Sequence, residues 1–500
     1  MRGIWRMFAF AAFLLVSRAD GASGFSQLVG QVPFPDYDAI CAHSQPGLQL
    51  TLTLPKDHFF QGEIVNATLT YSNSGMNPYT VSLARGDRSG RLMDVHFFGK
   101  GAGGAVVEDP IGWIYMQVLF GGGPVQLKEL KDGTTATISL PINQWLRFDH
   151  PGTYTIFADT TTVHAGTGEA AGPLGSPQLV SNRVTITITP LPADEEKKII
   201  TDAMQRIDAG YHREDSPNLS ASVNEENAEH SAFAVQPDIE ILRYLQTPAA
   251  RAALRSRLDK TPEFMIGGGH FQIAAALLGA PDRPAEAGLI LDEVRAGRLK
   301  VDSGLIGLYA ELKTYPETVA CFSPTSSIRD ENERDRARVE AQNEILAAAK
   351  QASSQTGVTN LDLIWEAFLV NPSDPAYRAP AIAHQLDFSH ERQLRLLDLV
   401  ASLTCRRQSP GEKDTSADFL PLVRLYLGPP AYDCKALMIL SYARPDEAHD
   451  IVLADWASPQ HHYFNNDGPL GQLAVTLLEN PKIKWTDEQK SILDRMRGGH

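Results

Sequence analysis

Residues 461 to 467, HHYFNND, form the densest set of potential ligands and proton carriers in the chain. Its imidazoles could hold a metal or move protons, and Asp446 and Asp455 just upstream could supply carboxylates for hydrolysis. The spacing argues against a shared metal. Adjacent side chains point about 100° apart on a helix and to opposite faces of a strand. Ser458-Pro459 breaks one helix, and Asp467-Gly468-Pro469 opens the next. The plain reading is a turn between two helices, with Tyr463 and Phe464 pinning it and the asparagines supplying its geometry. His461, His462, Asp446 and Asp455 are weak catalytic candidates beside that reading.

Other chemistry is thinner. Glu226 and His230 stand four apart, but two such residues in a polar stretch are common by chance, and no metal site or cofactor is expected. Gly267-Gly268-Gly269 precedes an apolar run without GxGxxG spacing, so it reads as a tight turn. No HExxH, GxSxG, P-loop or SxxK occurs. Trp113 and Trp145, with Tyr115, Phe148 and Tyr154, could form a flat face for sugar rings. Large aromatics are more often core, so the two tryptophans are weak binding candidates.

The elements that must position these residues fall into two halves. From Gly47 to about Thr189 apolar residues alternate: Leu48, Leu50, Leu52 and Leu54; Val65, Ala67, Leu69 and Tyr71; Tyr79, Val81 and Leu83; then 113–120, 135–140, 153–158 and 183–189. Period two means one face buried and one wet, and turn signals at 72–75, 87–90 and 131–133 separate the runs. This pattern predicts an antiparallel β-sandwich. The stretches WLRFDHPGTYTIFA (145–158) and GEIVNATLTYSN (62–73) resemble strands of Ig-like sandwiches in exported bacterial proteins. The resemblance implies that fold and carries no catalytic residue.

Near Leu191-Pro192 the period changes to that of helices. Thr247 caps and Pro248 opens one; Asp282 opens and Gly297 closes another; further helices are expected at 389–404, 444–458 and 485–496. On 329–340, charges at helical spacing (Asp330 with Arg334, Asp335 with Arg338) predict a solvated face. Residues 211–236 read as a polar loop with a short helix. The stretch from Ile241 to Leu312 resembles a divergent HEAT-like repeat, which implies an α-solenoid; the alternative is an irregular helical bundle. The division expected is 1–19, 20–46 as an extended segment, 47–190 as the sandwich, and 191–500 as the helical domain, with a possible break near 315–330.

Arg2 and Arg6, the apolar run Phe8–Val16 and Ser17-Arg18-Ala19 have the pattern of a secretory signal, too short to span a bilayer. The expected compartment is periplasmic or extracellular. Loss of Arg2, Arg6 and Arg18 would carry the formal charge from −15 to −18, a surface that repels nucleic acid and anionic lipid. Cys41, Cys321, Cys405 and Cys434 match no zinc spacing, and one disulfide among them is open. The function expected is that of an exported, non-catalytic binding or scaffolding protein using its helical surface for protein or peptide partners. The alternatives are a hydrolase acting on an extracellular polymer and a carbohydrate binder.

Overall fold

The computed structural model describes residues 34–42, 46–83, 92, 94–107, 109, 126–148, 150–166, 177–211, 237–258, 269–314, 328–354, 360–372, 374–406, 416–428, 431–457, 484–488 and 490–491. The chain divides into two compact units, Met1–Thr356 and Gly357–His500. The first holds a β-rich region of three sheets followed by helices, and the second is largely helical.

A short helix, α1 (Tyr37–Ala42), precedes the strands. Strands β1 (Leu48–Thr53), β3 (Asn66–Asn73) and β7 (Thr134–Pro141) form one antiparallel sheet. Between them lie β2 (His58–Phe60), β4 (Tyr79–Ser82), β5 (Val95–Gly101) and β6 (Leu127–Leu130). The chain continues with β8 (Gly152–Thr160), β9 (Val163–Ala165), β10 (Leu179–Val180) and β11 (Val184–Thr189). The second sheet runs β10-β8-β11-β2, with β5 also paired to β8, and the third runs β6-β4-β9. Pairing is antiparallel except between β11 and β2, where Thr187 lies opposite His58 in a parallel register.

Alternation does what the sequence demands in β1 and β7, whose apolar side chains turn inward. Leu50, Leu69, Val81, Leu130, Ile138, Ile156, Val163 and Ile186 meet in one apolar core shared by all three sheets. Buried hydroxyls there are partnered. The Tyr71 hydroxyl lies 3.1 Å from Thr162 Oγ1, which lies 2.9 Å from Thr160 Oγ1. Burial pushes the Tyr71 hydroxyl above its usual range. Asn73 holds the turn after β3, donating to the Asn77 and Leu130 carbonyls and accepting from the Gly75 N–H.

Among the described residues, the first unit's strands are followed by α2 (Ala193–Tyr211), α3 (237–245), α4 (Pro248–Arg255), α5 (Gly269–Leu278), α6 (Arg283–Arg295), α7 (Ser303–Lys313) and α8 (Ile328–Ser354). Their starts obey capping chemistry. Thr247 Oγ1 accepts from Ala250 N, Asp282 from Ala285 N, and Asp302 from Leu305 N. Gly297, at φ +68°, ends α6 in the left-handed region. Packing runs between near neighbours: α2 on α4, α4 on α5, α5 on α6 and α7, and α8 on α6 and α7.

Between α7 and α8, Glu344 accepts from the Tyr309 hydroxyl at 2.7 Å and from Lys313 at 3.0 Å. The Tyr309 hydroxyl foremost holds the Glu344 carboxyl below its usual range; burial opposes it, and Lys313 adds to the lowering. A folded-state value below the unfolded one gives stability that is present above the usual carboxylate range and is lost as pH falls through the folded value. Acid titration should therefore erode the stability of the parent more than that of Glu344→Gln. Denaturation midpoints compared between pH 7 and pH 3 check this, and parallel curves would show that the contact contributes nothing.

The second unit contains α9 (Leu361–Val370), α10 (Pro375–Ala383), α11 (His390–Arg406), a 3-10 turn at Ser416–Phe419 and α12 (Leu420–Leu425). A two-stranded ribbon of β12 (Leu427–Gly428) and β13 (Ala431–Tyr432) leads to α13 (Cys434–Ala443) and α14 (Pro445–Ala457). Its core gathers Trp365, Phe368, Phe388, Leu396, Phe419, Leu437 and Trp485. Here too packing is local: α9 on α10, α11 on α13, α12 on α13, and α13 on α14. Among the described residues, no helix is long and apolar enough to cross a membrane.

Candidate functional site

Strand β8 breaks the alternation rule: from Ile156 to Thr160 every side chain is buried, on both faces. The outward row of β5 and β8 explains it. Register places His96 opposite Asp159, Phe98 opposite Phe157 and Lys100 opposite Thr155. The Phe98 and Phe157 rings stack at 5.4 Å. The segment around α1 then lies over them as a strap. Phe34 meets Phe98 at 5.8 Å and Phe157 at 5.6 Å, and Tyr37 meets Phe157 at 4.9 Å, all edge to face. Lys100 Nζ sits 4.3 Å from the Phe34 ring centre, and the Arg183 guanidinium 3.9 Å from that of Tyr37. The Tyr37 hydroxyl donates to the Ser181 carbonyl at 2.9 Å, and Arg183 also approaches Asp38 at 3.7 Å. Burial foremost, then a hydrogen bond with the Cys41 thiol, raises the Tyr37 hydroxyl above its usual range. Cys41 is free.

At the border of this aromatic patch, His96 Nδ1 lies 3.3 Å from Asp159 Oδ1, while Gln178 Nε2 donates to Asp159 Oδ2 at 2.9 Å. The first contact is a close approach without hydrogen-bond alignment, since that buried oxygen is left without a geometric partner.

A second polar cluster lies where the β-rich region meets the helices. Glu286 on α6 is 2% exposed and accepts from Arg251 Nε at 3.0 Å and from the Arg255 guanidinium, both on α4. Three side chains close the carboxyl end of α5, where the helix dipole is negative. Gln246 donates to the Ala276 carbonyl at 3.1 Å, Arg283 to Leu278 at 2.6 Å and Arg147 to Gly279 at 3.2 Å. Arg147 comes from the β-rich region, so it stitches the two parts of the first unit together. Gln246 has φ +52°, the left-handed backbone that brings α3 round into α4. Arg251 also donates to its carbonyl. Gly62, at φ +79°, lets the loop after β2 touch Leu245 directly.

The residues singled out from sequence are not brought together by the described structure. His461, His462 and Trp113 lie outside the described residues, as do most of 211–236 and the glycines 267 and 268. Asp446 is exposed in the first turn of α14; Asp455 lies on the same helix, near its end. Trp145 corrects the idea of a sugar platform. It is 1% exposed and packs on Phe97 at 5.1 Å, so no ring can stack on it. On α8, Arg334 pairs with its neighbour Asp335, and Arg338 pairs with Glu311 on α7. Among the described residues, no three His, Cys, Asp or Glu side chains converge as for a metal.

Sequence reasoning missed His96, Asp159, Phe34, Tyr37 and Glu286. A signal for the first four was present. VHFFGK and YTIFADT carry large or apolar residues in both parities, which a half-wet strand does not, so something had to cover the outer face. No protein-family model matches the chain, and no curated protein matches it either.

Proposed function

We propose that this is an exported, non-catalytic binding or scaffolding protein that holds protein or peptide partners on its helical surface. Residues 1–19 act as the secretory signal in this reading, and the working compartment is periplasmic or extracellular. The β-rich region is an Ig-like sandwich, a reading supported by the single apolar core common to its three sheets. The helices are divergent HEAT-like repeats. The observation that carries the reading is the order of packing, in which helices rest on neighbours one or two places away. Such stacking leaves a row of helix faces outward, and Leu289 on α6, Val339 on α8 and Leu425 at the end of α12 are exposed apolar residues of that kind. A second support is the use made of charged groups: Glu286 and Glu344 each fasten one helix to another, and Asp159 holds Gln178, just ahead of β10, to β8. The acidic surface favours basic partners.

The test is capture from the native exported fraction, with the chain from Asp20 onward as bait and a His461→Ala/His462→Ala form beside it. A protein retained equally by both is the expected result. A partner lost with the double variant alone, or polymer-degrading activity in the parent bait, would replace this reading with the hydrolase.

A further inference from the structure

The outward face of β5 and β8 already does what a binding site does: it holds a short peptide, and that peptide is part of the same chain. The strap runs from Phe34 into a helix of six residues, with Asp36 Oδ1 accepting from Asp38 N and Ala39 N, and Ile40 N donating to the Asp36 carbonyl. Side chains tie it to the sheet: the Phe34 and Tyr37 rings, the Tyr37 hydroxyl and the Asp38 carboxylate. Each meets a shaped counterpart. Phe34 stands edge-on to Phe98 and Phe157 under Lys100, while Tyr37 stands edge-on to Phe157 under Arg183 and reaches the Ser181 carbonyl. Phe34, three residues ahead of the helix, and Tyr37, its first residue, are two aromatic anchors laid on one apolar surface, the pattern by which short peptides are recognised through a few buried side chains.

We propose that this face is a peptide-binding site, and that Phe34–Ala42 is its built-in competitor. The external occupant is a protein segment with two aromatic residues three apart and an acid next to the second, the chemistry of Phe34, Tyr37 and Asp38. Lys100 and Arg183 at the rim select that acidic, aromatic class, and the apolar floor of Phe98 and Phe157 supplies the affinity. Binding in trans requires the strap to leave, so the free protein is held closed until a stronger segment arrives. The site goes beyond the helical-surface reading and does not depend on it.

The probe is a labelled synthetic peptide of residues 33–43, offered under reducing conditions to the chain from Asp20 onward and to its Phe34→Ala/Tyr37→Ala form. A tethered strap competes at a local concentration on the order of millimolar. The peptide should therefore bind the double variant at least about tenfold more tightly than the intact chain. A peptide carrying the same two alanines should not bind. Equal binding to both proteins, or none to the variant, overturns the proposal. If the double variant loses its folded near-ultraviolet signal, a protease site placed at 43–45 in the otherwise native chain serves instead. After cleavage the labelled peptide must enter, and failure to enter overturns the proposal equally. Because the probe is the chain's own segment, failure here leaves the capture of helical-surface partners untouched, and the reverse holds too.

Discussion

Replacing Glu286 by glutamine is expected to destabilise the first unit by about 3 kcal/mol, the lower end of what breaking a buried ion pair costs. The carboxylate is nearly sealed from water, and the side chains of Arg251 and Arg255 keep 15% and 13% of their exposure. Without the negative charge, two guanidiniums from one turn of α4 face each other and an amide that cannot neutralise either. Their residual contact with water is why the lower end applies. A triple variant, Arg251→Met/Arg255→Met/Glu286→Leu, should recover most of the loss, because a packed apolar replacement removes the desolvation cost along with the attraction. Urea denaturation of the three proteins measures it. A Glu286→Gln midpoint indistinguishable from the parent would mean that the arginines find full solvation elsewhere.

Gly62→Ala is expected to be nearly as costly, for a steric reason. Its backbone sits at φ +79°, and an added Cβ would lie 2.6 Å from both Cα and Cδ1 of Leu245. A flexible side-chain tip could swing away, but a Cα cannot move without α3. Overpacking contributes about 1–3 kcal/mol and the left-handed backbone about 1 kcal/mol more. Gly133 provides the control, since it shares a positive φ of +71° but has open space where a Cβ would go. Gly133→Ala should show the backbone penalty alone. Equal losses for the two variants would show that the β-rich region and α3 are not in close contact.

The parts of the fold legible in sequence are those governed by local rules. Leu48–Leu54, Val65–Tyr71 and 135–140 alternate because one face of each strand is core and the other wet. Thr247-Pro248 and Asp282…Gly297 mark helix ends because caps and glycine act within one turn. The illegible parts depend on residues far apart in the chain. The strap needs Phe34 and Phe157 in one place, and the charged cluster needs Glu286 beside α4. Spacing sees neither. Spacing is equally blind to Glu311 on α7, which pairs with Arg338 on α8. Trp145 shows the opposite error: its residue type suits sugars, although aromatic bulk between two strands is first of all core.

The strap also sets a clock. Tyr37 and the Ser181 carbonyl that receives its hydroxyl are 144 positions apart, and β2 waits similarly long for its parallel partner β11. A ribosome adding roughly 5–20 residues per second takes about 7 to 30 seconds between them. Throughout that interval the first-made segment has nowhere to dock and the edge of β2 has nothing to pair with. Contacts of such long range form late, after their loops close. The β1-β3-β7 sheet has all its strands once Pro141 is made, whereas the strap and the β2 edge wait until residues 181 and 189 have emerged.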